Sequence, residues 1–316
     1  MLFLALLAIA NPCASCHSAQ TEHYAEATMY RALEPVEDCV ILKQNPRLTF
    51  ESDGYRYEIV RGVYKVTDGR ETIEAPIRYA FGQGAAGQTY AFQRNDRWYE
   101  SRVSFYQKIK GLDLTMGALG IKPNNLSEAA GRVMDSEDVA QCFGCHTTGA
   151  VKGLQVDFAK MIPGVQCESC HGPASPHAEQ KGPAPKSLAK LSTDEMSDLC
   201  GSCHRTWSYI SINGPHGLLN VRFQPYRLTN SKCYDANDAR ISCVACHDPH
   251  GPLVKASKAY DAKCVACHSG SAAKICKQAK SECSSCHMPK YELPGAHHAF
   301  TDHQIRIVRA NETYPN

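Results

Sequence analysis

The sequence has no cluster of basic residues, no long apolar run and almost no net charge. Its 34 Lys and Arg stand against 32 Asp and Glu, a formal +2 over 316 residues. Spread without a run, they give no field that would hold nucleic acid or another polyanion. No stretch reaches the ~20 apolar residues that a membrane-crossing helix needs. The apolar segment Met1–Ala10 ends in Ala8-Ile9-Ala10, directly before Asn11 and Pro12. That ending has the form of a signal-peptidase site, but the segment lacks a charged start and the usual ~15–30 residues. Residues 1–10 are therefore expected to be the end of a truncated export signal, with a buried helical turn as the rival reading. An apolar fraction of 43% fits a soluble globular chain of one to three domains.

What the chain has in excess is cysteine: 17 residues, accompanied by 14 histidines. Fourteen of the cysteines fall in seven Cys-x-x-Cys-His strings: Cys13/Cys16/His17, Cys142/Cys145/His146, Cys167/Cys170/His171, Cys200/Cys203/His204, Cys243/Cys246/His247, Cys264/Cys267/His268 and Cys283/Cys286/His287. Composition alone would supply only ~0.04 such strings. The spacing has a chemical reason. Two thiols three residues apart add to the two vinyl groups of one porphyrin, and the next residue, histidine, lies under the iron as its proximal ligand. Zinc sites pair two clusters of ligands without demanding a histidine after every second cysteine, and a redox disulfide motif occurs once in a chain rather than seven times. The expected cofactors are thus seven c-type haems.

Each iron needs a sixth ligand to change oxidation state with little reorganisation, and histidine or methionine is the usual choice. Seven histidines lie outside the strings: His23, His177, His216, His250, His297, His298 and His303. His177 and His250 follow Pro-rich and Gly-rich turns that can swing them toward a neighbouring haem. His297, His298 and His303 fall past the last string, and His216 is flanked by glycine and proline. For the first haem, His23 competes with Met29.

The first string is isolated by 124 residues from the second, and the remaining six crowd between Cys142 and His287. Between them, segments such as Tyr55–Arg61 and Ile77–Phe81 alternate apolar and polar residues, with Asp53-Gly54 and Asp68-Gly69 as turn pairs. This is the signature of β-hairpins. The expected fold is mostly irregular and α-helical, with short haem-binding helices and a small antiparallel β-domain inserted after the first site. The expected divisions are 11–47 for the first haem site, 48–130 for the β-rich insert and 131–316 for a six-haem domain. Of the three remaining cysteines, Cys233 and Cys276 are expected to pair as a disulfide, since exported thiols tend to find partners. Cys39 is then free or coupled to another subunit.

The run Cys142-Phe-Gly-Cys-His-Thr-Thr-Gly, followed by Cys167-Glu-Ser-Cys-His-Gly-Pro-Ala-Ser-Pro-His177, resembles the cytochrome c-554/c-prime related family of exported multihaem cytochromes. Cys243-Val-Ala-Cys-His-Asp-Pro-His250-Gly with Cys264-Val-Ala-Cys-His is similar to the doubled haem-binding segment of extracytoplasmic multihaem proteins. The resemblance implies that His177 and His250 are distal iron ligands. In the related carriers a histidine in a Ser-x-His setting follows the first string; here Ala27-Thr28-Met29 stands in that place, so methionine ligation would raise the potential of the first haem.

These readings converge on electron transfer in the periplasm or at the cell surface. The partners would be redox proteins or extracellular acceptors, with no nucleic acid and no integral membrane span. A special case is a homo-oligomeric filament whose distal histidine is donated across the subunit interface. The alternative is an oxidoreductase of a small nitrogen or sulfur compound at one five-coordinate haem. No string has lysine in place of the proximal histidine, which argues against the familiar nitrite-reducing type.

Overall fold

The fold is taken from a computed structural model that describes residues 12–269, 276 and 278–315. The segment 1–10, expected to be an export signal, lies outside the described residues. The alternating stretches form consecutive antiparallel strands: β1 (Leu33–Pro35), β2 (Arg47–Ser52), β3 (Tyr55–Val60), β4 (Val63–Thr67), β5 (Thr72–Phe81), β6 (Gln88–Arg94), β7 (Arg97–Tyr106), β8 (Gly111–Leu114) and β9 (Gly131–Met134). Strands β2 to β8 pair in sequence order, β1 adds to β5, and β9 adds to β7. Two strands are long enough to serve two neighbours on one side. The first part of β5 pairs β4 and its last residues pair β1, while β7 pairs β9 through Trp98–Ser101 and β8 through Val103–Tyr106.

The expectation of a mostly α-helical and irregular fold with a small β-domain is corrected here. The described residues are 33% helix and 23% strand, and strands β1 to β9 form one nine-stranded antiparallel sheet in which β2 and β8 approach each other, so that it is nearly closed as a barrel. The physical reason is additive. A meander gains a neighbour with each turn, and the short strands β1, β8 and β9 carry too little alternation to be read alone.

The inward residues of this sheet make the largest apolar core. Tyr57, Tyr64, Val66, Tyr90, Phe92 and Val103 are at or near zero exposure, and Leu42 from the helix Val40–Gln44 and Ala129 and Ala130 from the helix Leu126–Ala130 close over them. Burial of Cys39 among them pushes its thiol up to about 11. That thiol donates to Gln88 Oε1 at 3.3 Å and is out of reach of another subunit. Gly131, with φ 153°, starts β9 against the Glu100 carbonyl, where any Cβ would collide.

Beyond β9 the chain changes character. Short helices, Ser136–His146, Cys167–His171, Thr193–His204, Cys243–Cys246, Asp261–His268 and Cys283–His287, alternate with loops. Among the described residues no helix is long and apolar enough to cross a membrane.

Candidate functional site

Each string sits where one helical turn can present it. Residues at i, i+3 and i+4 share a helix face, so both thiols and the histidine point the same way. His146, His204 and His268 are the last residues of their helices, where the negative end of the helix dipole favours an imidazole. Reciprocal caps start two of these helices: Asp135 with Asp138, and Ser192 with Glu195. Asp261 ties two strings together, because its carboxylate accepts from the backbone N–H groups of Glu282 and Cys283 and so begins the last helix. Those two bonds hold its pKa below the ordinary carboxylate value.

All fourteen string cysteines and all seven string histidines line one continuous cavity of about 3820 Å³. That is about 550 Å³ per string, inside the ~300–1,000 Å³ typical of small-molecule and cofactor sites. Among the described residues no three His, Cys, Asp or Glu side chains converge as a bare metal site. The wall has room for a group of porphyrin size beside the thiol pairs, where the adjacent histidines would be the metal ligands.

The strings are in contact with one another. Thiols of different strings are electrostatic neighbours: Cys13 of Cys167, Cys145 of Cys203, Cys200 of Cys243, and Cys264 of Cys283. Cys170 is an electrostatic neighbour of Cys200 and Cys203, as is Cys246 of Cys264. Numbered along the chain, the strings thus run 1, 3, 4, 5, 6, 7, with string 2 branching from string 4.

Ring orientation is set by backbone carbonyls. Nδ1 of His146 faces Ala32 O at 2.8 Å and Nδ1 of His287 faces Arg306 O at 2.8 Å, while Nδ1 of His171 lies 3.4 Å from Lys186 O. Such a bond fixes the tautomer and leaves Nε2 free, the arrangement found at metal-ligating histidines. Desolvation lowers the pKa of His146, His204 and His247 below the ordinary imidazole value. They stay neutral near pH 7, as a metal ligand must. No sequence signal marks these carbonyls, because any residue type supplies one.

The histidines outside the strings divide into two groups. His177, His250, His298 and His303 line the cavity, as does Met29; His23, His216 and His297 do not. The His250 ring stands 6.3 Å from that of His171 with 15° between their planes, and His303 stands 6.1 Å from His247. Two imidazoles bound to opposite sides of one metal, each at ~2 Å through one nitrogen, have ring centres about 6 Å apart. Burial takes His303 down to about 4, and its Nδ1 faces Thr301 O at 3.0 Å. Its segment is clamped by a group that sequence reasoning missed. Arg227, with no exposed surface, makes two bonds to the buried Asp302 carboxylate, at 2.8 and 3.0 Å, and another to Gln304. His297, by contrast, is tied to the sheet: its Nε2 lies 2.7 Å from Asp113 Oδ2, and its ring packs on Tyr106 at 4.8 Å.

No disulfide forms among the described residues, and Cys233 and Cys276 are both exposed thiols.

Comparison with known proteins agrees with this chemistry. Residues 99–172 match the family described as Cytochrome c554 and c-prime. The multihaem cytochrome MtrA of Shewanella baltica (strain OS185) is 26% identical over 193 residues, an alignment covering 54% of this chain and 50% of that one. The chain thus spans about half the length of this curated relative. The crystal structure of the outer cell wall cytochrome OcwA superposes with a TM-score of 0.55 at 14% identity, covering 94% of this chain and 79% of that one. At that identity the likeness bears on the fold alone.

Proposed function

We propose that the chain, as a multihaem c-type cytochrome, carries electrons outside the cytoplasm along seven covalently attached haems. One observation carries the reading: a single cavity is lined by every thiol and every histidine of the seven strings. The cofactor, when bound, supplies a reversible one-electron couple at iron. The chain's own residues do the rest. The paired thiols anchor each group, and the backbone carbonyls of Ala32 and Arg306 turn His146 and His287 toward theirs. That thiols of different strings are electrostatic neighbours supports sites close enough for short tunnelling steps. In this reading His250 would ligate the iron of the third string and His303 that of the fifth, as their ring separations support.

The same proposal includes a first site in 11–47, a β-rich insert over 48–130 and a six-site region over 131–316. Location outside the cytoplasm is supported by the resemblance of the Cys142–His177 and Cys243–His268 segments to those of exported multihaem cytochromes. The partners would be redox proteins or extracellular acceptors. Assembly into a filament is a narrower form of the reading. It is favoured by His23, whose side chain is 60% exposed beside the first string and turned away from the cavity. A pyridine haemochrome assay on the purified chain should return seven haems. A colourless protein, or a mass without attached porphyrin, would sink the proposal. Negative-stain microscopy that finds discrete particles alone would remove the filament form.

A further inference from the structure

Where the row of strings branches, the cavity wall carries two positive charges that no carboxylate pairs with. Resting on the seven-haem reading above, we infer that Arg205 and Arg222 tune the two haems at that branch, those of the second and fourth strings, raising their reduction potentials so that an electron is held there.

The placement of Arg205 begins with its backbone. It directly follows His204 at the end of the helix Thr193–His204, with φ 68°. A residue with a side chain enters that left-handed region at a cost and stays there where its surroundings fix it. The guanidinium supplies the fixing contacts. It lies over the Tyr209 ring at 4.5 Å and donates to Gln141 Oε1 at 3.1 Å. Gln141 is the residue before Cys142, so this bond joins the helix of the fourth string to that of the second. Arg205 is accordingly an electrostatic neighbour of Cys142, Cys145 and Cys203, thiols of both strings. Arg222, the last residue of the turn Gly217–Arg222, is in its turn a neighbour of Arg205. Its guanidinium reaches Met116 Sδ at 3.9 Å and the Phe223 ring at 5.6 Å.

The pair differs from the other arginines of the wall in having no counter-charge. Four arginines line the cavity among the described residues. Arg240 is bound to Asp238 and Arg306 to Asp302, whereas neither Arg205 nor Arg222 has a carboxylate partner among the described residues. Near the second string, Glu100 and Asp138 are both bound to Arg132, which leaves one negative charge against two positive ones. The carboxylates of the cofactor do not cancel the difference at Arg205. Thiols bond to one edge of a porphyrin and its propionates leave from the opposite edge, so a cation among the thiols stands away from the propionates of those same haems.

Reduction adds one electron at iron. A fixed positive charge in a wall of intermediate dielectric favours the reduced form, by on the order of tenfold in the equilibrium constant. The second string meets the others through the fourth, so the two haems that share this charge are those between which an electron leaves or rejoins the main row.

The test is an optical redox titration of the holoprotein, with a haemochrome count on each variant. Arg205→Gln should move two of the seven one-electron components to lower potential, each by about tenfold in its equilibrium constant, or about 59 mV. Arg222→Gln should move the same two by less. Arg205→Lys keeps the charge and should leave them near their natural values. Arg205→Gly suits the left-handed backbone but lacks the charge, and should lower them as Arg205→Gln does. Seven haems whose potentials are unmoved in Arg205→Gln and Arg222→Gln would overturn the inference and leave the seven-haem reading standing. So would natural potentials in Arg205→Gly, or a shift spread evenly over all seven components. Fewer than seven haems in the natural chain would overturn the reading on which it rests.

Discussion

The two halves of the molecule are held together by different means. From Leu33 to Met134 a nearly closed sheet buries a continuous set of aromatic and branched side chains that touch one another. From Ser136 onward, among the described residues, the largest apolar cluster joins Val221, Leu293 and Ala296 as its buried members, and nearly half of the residues line the cavity instead. The difference teaches where the fold is self-sufficient. The sheet half supplies both sides of its own core, whereas the string half lines a space whose apolar contents must come from the cofactor. In place of a core it has polar latches, of which Arg227 with Asp302 is the most buried.

The comparison can be broken outright by removing the cofactor. Chain in which every string cysteine is replaced by serine should lose protection from hydrogen exchange across residues 136–315 and keep it across the strands β2 to β7. Equal protection in both halves would mean that the string half packs without haem. The next largest effects set the two kinds of core against each other. Arg227→Leu removes one of the two arginines, Arg227 and Arg306, that bind the buried Asp302 carboxylate and should cost about 3 kcal/mol. The same substitution should broaden or shift the spectrum of the fifth haem, because the clamped segment carries His303. Phe92→Ala, in the sheet, should cost about 3–5 kcal/mol in chemical denaturation with the haem spectrum unchanged. Altered haem ligation in Phe92→Ala would show that the halves are not separable in this way.

A smaller effect sharpens the picture at one junction. Asp261, whose carboxyl is held below its ordinary value by the N–H groups of Glu282 and Cys283, binds fewer protons folded than unfolded. Its contribution is therefore complete above the ordinary carboxylate range and is lost as pH falls through its lowered value. Acid titration should loosen the last string in the natural chain, and Asp261→Asn should remove that pH dependence. An unchanged profile would mean that other carboxylates govern it.

Much of this is legible in the residues themselves. Cys13, Cys16 and His17, and the six strings like them, can be read because the chemistry is local: three positions on one helical turn. The hairpins between Tyr55 and Phe81 show in their alternation and turn pairs for the same reason. The size of the sheet does not, because β1, β8 and β9 are three or four residues each and gain meaning only from the strand beside them. Nor does Arg227, whose partner lies 75 residues away.

By itself, the sequence determined the kind of cofactor and the number of Cys-x-x-Cys-His strings, since both follow from spacings of three and four residues. Only the tertiary structure decided that the sheet nearly closes, that the strings run in a branched order through one cavity, and that His297 faces Asp113 while His303 faces His247. Those are distances between residues far apart in the chain, set by packing and burial, and a linear pattern of residue types does not encode them directly.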